Sequence, residues 1–161
     1  MKLRARHLMT CLALLAALMA LPAAGASAST KAKTKAAIKA ALNSYDAQLE
    51  TADTHVVAAV NAYTASKDAA AVQSAISEEL TVLRSIRTTV KSVSTAGHPV
   101  IRRGKTDVLL GLRAVMAAYE HLSKTYADAA TSPKAAKSQY AHYVTAIKRG
   151  LKEIRRGVHL V

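Results

Sequence analysis

From Val108 to Ala129 the chain reads VLLGLRAVMAAYEHLSKTYADA, with its large apolar residues at Val108, Leu112, Val115, Tyr119, Leu122 and Tyr126. The steps are four, three, four, three and four, an average of 3.5 that holds one apolar stripe on one side of a helix. A single helix cannot bury such a stripe, so the rest of the chain has to supply partners, and the same rhythm recurs three more times. Between Thr30 and Ser66 it runs Ile38, Leu42, Tyr45, Leu49, Ala52, Val56, Ala59 and Tyr63, without Gly or Pro, and predicts one long helix. A second helix, from Lys67 or Asp68 to Ser94, carries Val72, Ile76, Leu80, Leu83, Ile86, Val90 and Val93, with Asp68 placed to cap its start. No Gly or Pro marks the join between these two.

Ala96-Gly97-His98-Pro99 is the clearest break, since Gly suits the position after a helix and Pro the first turn of the next. The third helix starts at Pro99 or Thr106 and reaches about Ala130, and Gly104 and Gly111 are expected to loosen it. Ser132-Pro133 then opens a fourth helix with Ala136, Tyr140, Tyr143, Ile147, Leu151, Ile154 and Val158 on its stripe. Four long helices with short joins predict an all-α fold, an up-down-up-down four-helix bundle with 3.5-residue seams.

The first residues do not belong to this pattern. Lys2, Arg4 and Arg6, the apolar run Leu8–Leu21 and the small-residue exit Ala26-Ser27-Ala28 have the build of a secretory signal, so a cleavable signal helix over 1–28 is expected, with the bundle domain over 29–161. The apolar run is short for a bilayer, no transmembrane segment is expected after cleavage, and the address is secreted, periplasmic or cell-envelope. The one cysteine, Cys11, would leave with the signal, so the domain has no disulfide to hold it and relies on its core.

Topology changes the meaning of the charge. The whole chain carries 23 basic and 10 acidic residues, a net +13. Alternating helices bring the start of the first, the Gly97 turn and the end of the fourth to one tip. The half of the bundle at that tip, residues 29–48, 82–114 and 147–161, holds 16 basic residues against Asp46, Asp107 and Glu153, while the other half is net acidic. Cations at helix ends are favoured by the helix dipole, but Lys31–Lys39 and Arg102–Lys105 lie at helix starts, against that preference. An anionic partner would explain them. The candidate anion-binding residues are Lys91, Arg102, Arg103, Lys105, Lys152, Arg155 and Arg156. The competing explanation is that Lys and Arg here only solvate helix surfaces.

Catalytic and metal chemistry find little support. No Glu has a His three residues on, so the Glu-x-x-His pattern of di-metal bundles is absent. There is no Gly-x-Ser-x-Gly elbow, no phosphate-cradling Gly loop, and Glu78 and Glu79 point to different faces of one helix. No catalytic residue, metal ligand or cofactor is expected. His55 and Glu79 fall at the same height and suggest a boundary ion pair. A weaker ligand site gathers Tyr119, His121, Tyr140, His142 and Tyr143, whose Tyr and His side chains could in principle ligate haem, although Tyr on a seam usually fills core. Nucleic acid is disfavoured in vivo, because the basic half lacks aromatic stacking platforms apart from Tyr45 and an exported chain never meets the chromosome.

Three functions remain. The first is an exported, non-enzymatic bundle whose basic end binds an anionic envelope component: a lipid headgroup at the membrane surface, an anionic wall polymer or an acidic protein. The second is a carrier of a small ligand, haem being one candidate, that uses the Tyr/His-rich half. The third is a structural or self-associating bundle.

Overall fold

The structure, a computed structural model, describes residues 30–128 and 133–161, and their side chains except at 64 and 133–141. The expected signal over 1–28, the Ser132 cap and the Ala136 and Tyr140 side chains lie outside the described residues. The described chain is all-helical: α1 (Thr30–Asn43), α2 (Asp46–Ser66), α3 (Ala69–Ser92), α4 (Pro99–Asp128) and α5 (Pro133–Leu160). Among the described residues no helix is long and apolar enough to cross a membrane.

The first arm is not one helix, as its apolar rhythm predicts, but two. Ser44 Oγ donates to the Ala41 carbonyl at 3.2 Å, and the Tyr45 N–H reaches back three residues to Leu42 rather than four. Short polar side chains compete with the backbone ladder in this way, and Asn43-Ser44 breaks it. The bend leaves the stripe in phase, so Ile38, Leu42, Leu49, Val56 and Tyr63 are all buried. It also lets the Tyr45 hydroxyl meet Thr89 Oγ1 across the arm at 3.0 Å.

The unmarked join between the first two arms is made by Lys67 in the left-handed conformation (φ 58°), its N–H donating to the Tyr63 carbonyl. Asp68 then accepts from the Ala71 N–H at 2.9 Å and starts α3, as its sequence position predicts. α3 ends at Ser92, two residues before the expected Ser94, with Val93 rather than a glycine as its cap. Gly97 turns the bend beyond it at φ +76° in open space, and α4 begins at Pro99 rather than Thr106.

Consecutive arms are antiparallel. Tyr45 faces Thr89 and His55 faces Glu78 across α2 and α3; Arg84 faces Glu120 and Lys105 faces the end of α3 across α3 and α4. The stripe residues that the structure describes form one continuous core, with Tyr45, Ala59, Val93 and Tyr143 packed at its margin and Val72, Ile76, Val90, Val108, Tyr119, Leu122 and Ile147 among its most enclosed members.

Gly104 and Gly111 do not loosen α4. They are where it comes closest to α5. A Cβ on Gly104 would stand 2.7 Å from the Gly157 carbonyl oxygen, and one on Gly111 2.6 Å from that of Gly150. Gly150 and Gly157 meet α4 reciprocally, at 2.9 Å from the Gly111 oxygen and 2.5 Å from the Gly104 oxygen. The two glycines on each helix are seven residues apart, so one antiparallel register satisfies both contacts. Their helix-propensity cost, about 1 kcal/mol each, is set against a backbone approach that no side chain would permit. Among the described residues α5 packs chiefly on α4, and the α1–α2 arm chiefly on α3.

Candidate functional site

Two groups of residues stand apart from ordinary core and surface: the cations at one tip and a set of acids inside the bundle. At the tip, Lys31 from α1 lines a shallow recess with Gly97, His98, Pro99, Val100 and Ile101. Val161 packs in beside Gly104, its Cγ2 3.2 Å from where a Cβ there would be, and is itself buried. The start of α1, the Gly97 bend and the end of the last arm therefore share one end of the molecule. Val100 projects there, 54% exposed, two residues before Arg102.

The candidate cations at this end divide into two sets. Lys91, Arg102, Arg103 and Lys152 are exposed and Arg155 is half-buried; among the described residues none of the five has an acid within 4.0 Å. Lys105 and Arg156 already have work inside the fold. The Lys105 ammonium donates to the Lys91 carbonyl at 2.7 Å and the Val93 carbonyl at 2.5 Å, closing the end of α3. With α4 beginning at Pro99, Lys105 stands in its second turn rather than at its start, and its charge faces the carbonyl end of the neighbouring α3, where the helix dipole favours a cation. Burial, and then Lys91 nearby, lowers the Lys105 pKa. Arg156 bridges Asp107 at 3.1 Å and Glu153 at 2.9 Å, and these acids hold its pKa up. Lys105→Met is expected to lower stability by about 1 kcal/mol, the value of a helix-end hydrogen-bonding partner, as read from urea unfolding.

The Tyr/His residues are not gathered into one site. His121 stacks on Tyr143 with ring centroids 5.9 Å apart, and His142 meets the same ring edge-on at 5.5 Å. Both histidines are exposed, whereas Tyr119 is buried and turned into the core; the Tyr140 side chain lies outside the described residues. Among the described residues no group of three or more His, Cys, Asp or Glu could hold a metal ion.

The interior acids are the feature that the sequence reading overlooked. Asp53 of α2 and Glu79 of α3 are 2% and 1% exposed. The Tyr119 hydroxyl hydrogen-bonds the Asp53 carboxyl, which partly offsets its desolvation; burial still raises the Asp53 pKa to about 6. For Glu79, burial first, then the charges of Asp53 and Glu78, push the pKa up to about 8. The expected His55–Glu79 ion pair does not form. His55 Nδ1 instead lies 2.9 Å from Glu78 Oε2 at the surface, because one residue along a helix is a turn of about 100° and Glu79 faces inward.

Glu79 and Tyr119 also line a partly enclosed cavity of about 30 Å³ between the arms. Asp46 is its third polar liner and the one with appreciable exposure; the other nine are aliphatic, among them Leu42, Leu83, Val115 and Ile147. Burial raises the Asp46 pKa. Glu79, buried and facing the charge of Asp53 from another helix, therefore keeps its proton near neutral pH. No known protein family, curated protein or solved structure matches the chain.

Proposed function

We propose that the protein is an exported, non-enzymatic helical bundle whose basic tip contacts an anionic component of the cell envelope: phospholipid headgroups, an anionic wall polymer or an acidic protein. The observation that carries this reading is the meeting of Lys31, the Gly97 bend and Val161 at one end, which concentrates the positive charge there. Lys91, Arg102, Arg103, Lys152 and Arg155, without acidic partners among the described residues, are the contact set; Lys105 and Arg156 serve the fold first. Export rests on the basic-apolar-small pattern of residues 1–28.

Charge attraction at a membrane surface contributes about 1 kcal/mol per Lys or Arg and falls away within a Debye length. The variant Arg102→Glu, Arg103→Glu, Lys152→Glu leaves the α3 cap and the Asp107 bridge intact. It should bind anionic vesicles or isolated wall polymer at least tenfold more weakly than the parent, and the parent's binding should weaken steeply with added salt. Equal binding by the two, or binding indifferent to salt, contradicts the reading.

A further inference from the structure

We propose that the interior cavity is a binding site for a short primary alkylamine, with its ammonium group on Glu79 and its alkyl chain along the aliphatic wall. The lining itself selects the charge. In a chain of net +13, the polar liners are Asp46, Glu79 and Tyr119: two acids, one hydroxyl and no base. Glu79 Oε2 has no hydrogen-bond partner among the described residues, although the side chain is 1% exposed, and Asp53 Oδ1 beside it is in the same position. A buried carboxyl oxygen without a donor costs about 1–3 kcal/mol, a penalty that an N–H donor in the cavity removes. An ammonium group brings three donors and a compensating charge.

The same lining excludes other guests. A hard metal cation wants six or more oxygens, and nine of the twelve lining residues offer none from their side chains. A planar ligand of haem size has no room in about 30 Å³, which holds roughly two or three water molecules. That space matches an ammonium head with a chain of about one or two carbons.

Proton balance supplies a second signature. With its pKa at about 8, Glu79 is mostly protonated at pH 7 and must give up that proton to pair with an ammonium guest. The groups facing it are Asp53 and Tyr119 across the core, Glu78 on its own helix and Asp46 at the cavity's exposed side. Affinity for the amine should therefore rise close to tenfold between pH 6 and pH 7, and level off above pH 8.

The test is a methyl NMR titration of the full chain with ethylammonium and, separately, with ethanol, which matches the chain but carries no charge. Saturable shifts at the Leu83, Val115 and Ile147 methyls are expected with the amine. Glu79→Gln, which keeps the shape of the side chain, should weaken amine binding at least tenfold and leave the response to ethanol unchanged. The proposal is overturned by the absence of saturable shifts with the folded parent protein, by equal affinity for amine and alcohol, or by amine binding that is unaffected in Glu79→Gln. A far-ultraviolet spectrum of the variant identical to the parent's excludes unfolding as the cause of lost binding.

Discussion

Gly157→Ala is expected to destabilise the protein by about 2–3 kcal/mol, although alanine is the better helix former by about 1 kcal/mol. The sign is set by what the new methyl meets. A Cβ at Gly157 would lie 2.5 Å from the Gly104 carbonyl oxygen and 2.7 Å from the Val108 amide nitrogen, both backbone atoms that cannot swing aside. The helices would have to separate, and the contact is repeated one heptad along, where a Cβ at Gly111 would meet the Gly150 oxygen at 2.6 Å. Separation at one site loosens Val108, Leu112, Ile154 and Val158 between them, all of which are buried. Gly111→Ala should behave alike, and the double variant should lose less than the sum, because the first substitution already parts the helices. Urea unfolding of the three variants measures this. An increase in stability for either single variant would mean that α4 and α5 do not approach through these glycines.

The second large effect concerns the buried acids. Glu79→Gln is expected to stabilise the protein above pH 8 by on the order of 3–5 kcal/mol, and to leave it close to the parent below pH 4. A carboxyl whose pKa rises from 4.5 to about 8 on folding binds a proton more tightly in the folded chain. Its contribution is thus fully present below pH 4.5 and is lost as pH climbs towards about 8. Asp53, raised from 3.8 to about 6, adds a loss of the same sign over a lower window. The parent should therefore become progressively less stable from mildly acidic to mildly alkaline pH, with the steepest part abolished in Glu79→Gln. A parent profile that is flat between pH 5 and pH 8 would show that neither carboxyl is held in a dry core.

Much of this architecture was legible from the spacing of apolar residues, because burial imposes a period that composition cannot hide. The stripes of α3 and α4 are buried as the sequence predicts, apart from Val93, which is half-buried just past the end of α3. Asp68 and Pro99 begin helices as their chemistry requires, whereas α3 ends at Ser92 with Val93 as its cap and Gly97 turns the bend further on. Two features were not legible. Asn43-Ser44 breaks the first arm without disturbing its phase, so the stripe alone carries no sign of a bend. Gly104 and Gly111 read as weak helix formers until Gly150 and Gly157 are seen opposite them, a relation that exists only between helices. The interior acids did leave a trace. Asp53 lies four residues after Leu49 and three before Val56, and Glu79 three after Ile76 and four before Leu83, so both occupy core positions of their helices. A charged residue in phase with an apolar stripe is the signal, and it was masked by reading only the apolar members. The cations behaved differently again: the sequence placed them at one tip, but only coordinates separate Lys105 and Arg156, which have partners in the fold, from Arg102 and Arg103.

The most direct measurement attaches an environment-sensitive dye to a single introduced cysteine in the domain over 29–161, which contains no other. The dye is placed either at Val100→Cys on the basic tip or at Ala70→Cys, exposed at the far end. With anionic vesicles in low salt, the account predicts a blue shift and gain in intensity for the tip label alone, reversed by added salt and absent with neutral vesicles. A response at the far-end label equal to that at the tip, or the same response with neutral vesicles, would contradict a charged tip as the surface that makes contact.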